Sequence, residues 1–128
     1  FKASAIQIII CVIMLIFLFI FKDDFFYLIL IMIPELDNSM KEIMIPIFIG
    51  GFLWQLALVV HKPLEIEERT LVMVFCLFFS LVTNLIGNIL FLPKFGILAT
   101  AYTMILSALI YILSSILFSN SFRNFIRK

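Results

Sequence analysis

The chain has 128 residues, 65% of them hydrophobic and 13% charged, with nine basic against eight acidic residues and a net charge of +1. Its mean hydropathy is +1.27, whereas soluble domains carry about 25% charged residues. Those values exclude a water-soluble globular domain, and the near-zero net charge excludes the basic field that a nucleic-acid partner requires.

Four stretches contain no charged residue: 3–21, 43–60, 70–93 and 95–122. Each matches the roughly 20 helical residues that cross a hydrocarbon core about 30 Å thick. A charge at mid-membrane costs about 2.5–3.5 kcal/mol on insertion scales, so charge-free windows of this length predict an all-α membrane protein with four spanning helices.

The first span is expected over 4–21, stopping at Lys22-Asp23-Asp24. The next apolar run, 25–33, is too short to cross and reads as a short interfacial helix, ended by Pro34 and the polar 35–38. The second span, 39–60, begins at a capping box in which Ser39 stands three residues before Glu42. Pro46 removes a backbone donor early in this helix and predicts a kink. The charged connection 61–69 follows, and the third span, 64–92, starts either near Pro63 or at Thr70. A structural turn of Pro93, Lys94, Phe95 and Gly96 leads to the fourth span, 97–118.

Phe1 opens the chain with no leader pattern around it, and the expectation is a C-terminal transmembrane segment (1–128) of a larger protein. Loop charges set the orientation. Lys2, Lys62, Arg69, Arg123, Arg127 and Lys128 share one face, against Lys22, Lys41 and Lys94 on the other, which puts both termini in the cytoplasm.

Polar residues inside the spans form stripes. On the third span Cys76, Ser80, Thr83, Asn84, Gly87 and Asn88 fall on one helical face. The fourth repeats the pattern with Thr100, Thr103, Ser107, Tyr111, Ser114 and Ser115, the first offers Ser4, Gln7 and Cys11, and the second offers Gly50, Gly51, Trp54, Gln55 and His61. Such stripes serve helix packing, because small residues permit close approach and amides bond across the seam. They equally serve a hydrated cleft, for which Asn84, Asn88, Thr83, Ser80 and Gln55 are the candidate lining residues. Both readings stand at this point.

Nothing in the sequence reads as catalytic. The charge-free windows hold no carboxylate pair, His61 is the only histidine, Cys11 and Cys76 lack partners at metal-ligand spacing, and no glycine-rich phosphate loop occurs. No enzyme activity, metal or cofactor is expected.

The string 84–113, NLIGNILFLPKFGILATAYTMILSALIYIL, resembles a segment of bacterial polysaccharide flippases, the O-antigen and capsule repeat-unit exporters of the multidrug/oligosaccharidyl-lipid/polysaccharide transporter superfamily. There a helix ending in an Asn…Asn pair runs into an Ile-Pro-Lys-Tyr-Gly turn, and a small-residue helix follows. The matching residues are Asn84, Asn88, Leu92, Pro93, Lys94, Phe95, Gly96, Ala101 and Ser107, and 39–70 looks like the preceding family helix and its charged loop. Ala99 replaces a family glycine, and Thr100, Thr103 and Met104 interrupt an alanine-rich run, bulking up the start of the last helix.

The resemblance implies the last four helices of a two-lobed transporter of twelve or more helices in the bacterial inner membrane, the N-terminal lobe being the missing partner. It implies lipid-linked oligosaccharide of the undecaprenyl pyrophosphate type as substrate, flipped by alternating access. No role of the family's cationic cavity residues can be carried over, because none of the four charge-free windows contains Arg or Lys. Alternatives are a drug/cation antiporter of the same superfamily, a non-transporting membrane subunit of a polysaccharide synthesis complex, and a membrane-embedded transferase, which would need carboxylate or histidine clusters in long loops.

Overall fold

A computed structural model describes residues 2–33 and 38–119, with side chains over 5–33 and 40–119. The described elements are all helical: α1 (Lys2–Met32), a 3-10 segment (Asn38–Ile43), α2 (Met44–Val60), α3 (Lys62–Ile66), α4 (Thr70–Phe95) and α5 (Ile97–Phe118). Four stretches are long and apolar enough to cross a bilayer: Ala5–Met32, Met40–Ile66, Thr70–Phe95 and Ile97–Phe118. Large apolar side chains such as Ile20, Phe75, Leu81, Ile89 and Leu117 stand exposed along them, a surface that suits hydrocarbon rather than water. This is the architecture of a multi-pass membrane protein.

Four boundaries differ from the sequence expectation. The first span does not stop at 21, and 25–33 is not a separate helix. One helix runs to Met32 through a single non-helical residue, Phe21 (φ −102°, ψ 16°). Lys22, Asp23 and Asp24 are charged but supply neither Gly nor Pro, so the helix bends there without ending. An ion pair from Asp23 to Lys41 ties this stretch to the 3-10 segment.

The second span is 3-10 from Asn38 to Ile43 and becomes α-helical only at Met44. Pro46 therefore sits in the first turn of α2, where its missing N–H would have had no intrahelical acceptor. The change of helix type takes the place of the expected kink. The side chain of Ser39, half of the capping box, lies outside the described residues, as do the side chain of Ser4, residues 34–37 and the basic tail with Arg123, Arg127 and Lys128.

Of the two proposed starts of the third span only Thr70 is used; the residues after Pro63, expected to open it from 64, continue the second span to Ile66 instead. Pro63 opens the five-residue α3, the chain breaks over Glu67–Arg69 with Glu68 at φ 55°, and α4 begins at Thr70. At its other end α4 continues past Pro93 to Phe95, so the break is one residue, Gly96 (φ 62°, ψ −155°), instead of four. The Gly96 N–H bonds the Leu92 carbonyl at 2.9 Å and its carbonyl accepts from Ala99 at 3.0 Å. The fourth span is found as expected, Ile97–Phe118.

In space the order is α1, α2, α5, α4: α5 packs against both α2 and α4, while α1 packs chiefly on α2. Near the α3 end, α2, α4 and α5 close around Ala57, Val60, Cys76, Tyr111 and Ile112, with the Trp54 and Tyr111 rings 5.7 Å apart. There the Arg69 guanidinium donates to the Phe118 carbonyl, Ser119 Oγ donates to Glu67 Oε1 at 3.3 Å, and Arg69 lies 3.9 Å from Glu67. Arg69 thus supplies a cation and a donor to the carbonyl end of α5, where both are favourable.

The Gly96 conformation belongs to a region that side-chain-bearing residues scarcely enter, although a Cβ there would meet no atom within 4 Å. Gly96→Ala should therefore lower stability by about 1–3 kcal/mol through the backbone alone. Reversible unfolding in mixed micelles checks this: a loss is expected for the Gly96→Ala variant, with no compensation from trimming neighbouring side chains.

Candidate functional site

Half of the residues singled out on the last two spans, Ser80, Asn84, Gly87, Asn88, Thr103 and Ser107, converge in the seam between α4 and α5. The seam is close because α4 presents Gly87 to Thr103 of α5: a Cβ built on Gly87 would lie 2.6 Å from Thr103 Cγ2. Met104, the next residue on α5, is received in the same way by Gly50 of α2, whose Cβ would lie 3.2 Å from Met104 Cγ. Thr103 and Met104, the residues that bulk up α5, each sit over a glycine of a neighbouring helix. That is how α5 keeps close contact on both sides.

Around this contact the polar groups bond in series. Ser80 Oγ donates to the Ser107 carbonyl at 2.8 Å, and Asn84 Nδ2 reaches Ser107 Oγ at 3.3 Å. Asn88 Nδ2 donates to Asn84 Oδ1 at 2.9 Å, and Thr103 Oγ1 lies 3.1 Å from Asn88 Oδ1 and 3.0 Å from its own-helix Thr100 carbonyl. Ser107 Oγ is also 2.9 Å from the Met104 carbonyl. Two amides one turn apart on α4 thereby bond each other and two hydroxyls on α5. Such pairing suits a low-dielectric setting, where an unmet amide is costly.

The candidates are not equivalent. Ser80 is fully buried, Asn84 and Asn88 are half-buried, and Thr83, also half-buried, donates to the Phe79 carbonyl of its own helix at 2.8 Å. Gln55 stands exposed on α2, beside a different groove shared with Gln7 of α1. Pro93, Lys94 and Gly96 are exposed at the α4–α5 turn. Ser80, Asn84 and Ser107, with Trp54 from α2, line a cavity of about 130 Å³. It exceeds the room one water needs and offers an amide and two hydroxyls as partners.

Sequence reasoning found the stripe on α4 and its counterpart on α5 but missed the division of labour. Thr83 and Asn84 are adjacent, yet only Asn84 bonds across the seam, a difference of about 100° in helical phase that the stripe's width conceals. It also missed Arg69 as the cap of α5, since the two are 49 positions apart in the chain. Among the described residues no three or more His, Cys, Asp or Glu side chains come together as a metal site would require.

Comparison with protein-family models, curated proteins and solved structures finds no match.

The seam makes its own prediction. Gly87→Ala should separate α4 from α5 and cost about 1–3 kcal/mol, as overpacking does. Thr103→Ser deletes the clashing Cγ2 while keeping the hydroxyl, so the double variant should recover much of that loss. A double-mutant cycle on unfolding in micelles reads the coupling, and independent, additive effects would contradict the contact.

Proposed function

We propose that this chain is part of a bacterial inner-membrane flippase for lipid-linked oligosaccharide, working by alternating access together with a further lobe. The observation that carries the reading is the Asn84…Asn88–Pro93-Lys94-Phe95-Gly96 string, whose residues span the polar end of α4 and its turn into α5. The string's resemblance to the flippase family supplies the substrate class, the inner-membrane location and the two-lobe context.

In this reading the half-buried edge of the Asn84–Asn88 pair faces the cleft and contacts the polar head-group, while the other edge holds α5. The small cavity beside Asn84 and Trp54 supports a hydrated environment at that depth. The lipid tail of the substrate stays in the bilayer, against the exposed apolar faces of the helices.

A second reading is favoured by the completeness of the bonding in the seam. Amides that bond each other and two hydroxyls serve a non-transporting membrane subunit equally well, as interhelical glue worth about 0.6 kcal/mol per bond on average.

Variants in the full-length protein separate the two. Asn84→Leu and Asn88→Leu should abolish most surface-polysaccharide export at unchanged membrane abundance if the pair meets the head-group. Asn88→Ser, which keeps a small bonding group, should rescue only partly. If the pair is glue alone, export should instead fall in step with folded protein, and Asn88→Ser should restore both.

The orientation has its own check. Loop charge favours Lys94 on the periplasmic side and the tail in the cytoplasm. On a cysteine-free background, Lys94→Cys should label from outside intact cells and Arg123→Cys only after permeabilisation; the reverse pattern would invert the assignment.

A further inference from the structure

We propose that the notch between the end of α2, α3 and the start of α4 binds the head-group of phosphatidylethanolamine. A cavity of about 500 Å³ opens there, lined by Leu58 of α2, His61 at its end, Lys62 and Glu65 of α3, and Thr70 and Met73 of α4. Its place in the chain sets its depth. Leu58 lies inside the charge-free window 43–60 and Met73 inside 70–93, while His61, Lys62 and Glu65 belong to the charged connection between those windows. The notch is therefore apolar where acyl chains reach and charged where head-groups lie, which is the order of polarity along a phospholipid. Polar pockets between helices at this level are where membrane proteins recognise lipid head-groups.

Charge selects the head-group. Lys62 Nζ lies 2.6 Å from Glu65 Oε2, His61 Nε2 lies 3.9 Å from the same oxygen, and the Lys62 and Glu65 side chains are both more than half exposed. Arg69 and Glu67 are engaged at the end of α5, so the notch presents one cation and one carboxylate side by side. Phosphoethanolamine carries the complementary pair. Its phosphate can accept from Lys62 and from the exposed Thr70 hydroxyl, and its ammonium can donate to Glu65. Choline has no N–H to give, and a glycerol head-group brings a phosphate with no cation for Glu65. An exposed pair such as Lys62–Glu65 contributes little by itself, so opening it to admit the head-group costs little. Head-group binding at this notch is independent of whether the chain transports.

The test titrates the full-length protein, stripped of lipid in detergent, with phosphatidylethanolamine, phosphatidylcholine and phosphatidylglycerol of identical acyl chains. Native mass spectrometry counts the bound lipid, and phosphatidylethanolamine should bind most tightly. Glu65→Gln and Lys62→Gln should each weaken its binding by about tenfold, as loss of one charge-assisted hydrogen bond does. Lys94→Gln, at the other end of α4, should leave the preference intact. A photo-cross-linking side chain in place of Leu58 should capture phosphatidylethanolamine from vesicles that hold all three lipids. Circular dichroism checks that each variant keeps its helix content, as expected for substitutions at exposed positions. Equal binding of the three lipids, a preference that survives both glutamine substitutions, or capture at position 58 of another protein segment or of all three lipids alike would each overturn the proposal.

Discussion

The close approach of α4 and α5 at Gly87 and Thr103 is the contact on which the rest of the structure depends. Between two apolar helices in lipid there is little hydrophobic gain, because acyl chains are as greasy as leucine; contact must come from packing and hydrogen bonds. Gly87 lets the Thr103 side chain sit almost against the α4 backbone. At that separation the Ser80, Asn84 and Asn88 side chains reach α5. At a wider one the same amides would face hydrocarbon unmet.

The second contact of α5 follows the same rule. Met104 lies over Gly50, so α5 is held between α2 and α4 by two large-on-small contacts from adjacent residues. The ends are fastened by charge instead. Asp23 and Lys41 join α1 to the 3-10 segment, and Arg69 and Glu67 join the α3–α4 elbow to the end of α5. Charged groups are tolerated at these places because they lie at the ends of the apolar windows. Four helices thus hold together with small residues in the middle and ion pairs at the rims.

These contacts shape any role the chain has. A polar seam that is internally bonded can move as a unit, so a rigid α4–α5 hairpin is compatible with lobe-like motion as well as with static assembly. The other membrane amides, Gln7 and Gln55, lie apart from this seam, along the groove between α1 and α2.

The sequence by itself determined the class, the number of spans and the extent of the last one, because insertion in hydrocarbon acts on each segment separately through its own charge and length. It also showed the polar stripe of α4, since helical phase is a local property. It could not show that Thr83 turns back onto its own helix while Asn84 crosses the seam, that Pro46 falls in a first turn, or that Gly96 alone makes the break after Pro93. Only the tertiary structure decided that Gly87 receives Thr103, that Gly50 receives Met104 and that Arg69 caps α5. Each of those depends on how two distant helices are set side by side, and in a membrane that setting comes from matched shapes and paired polar groups, which periodicity along one helix does not encode.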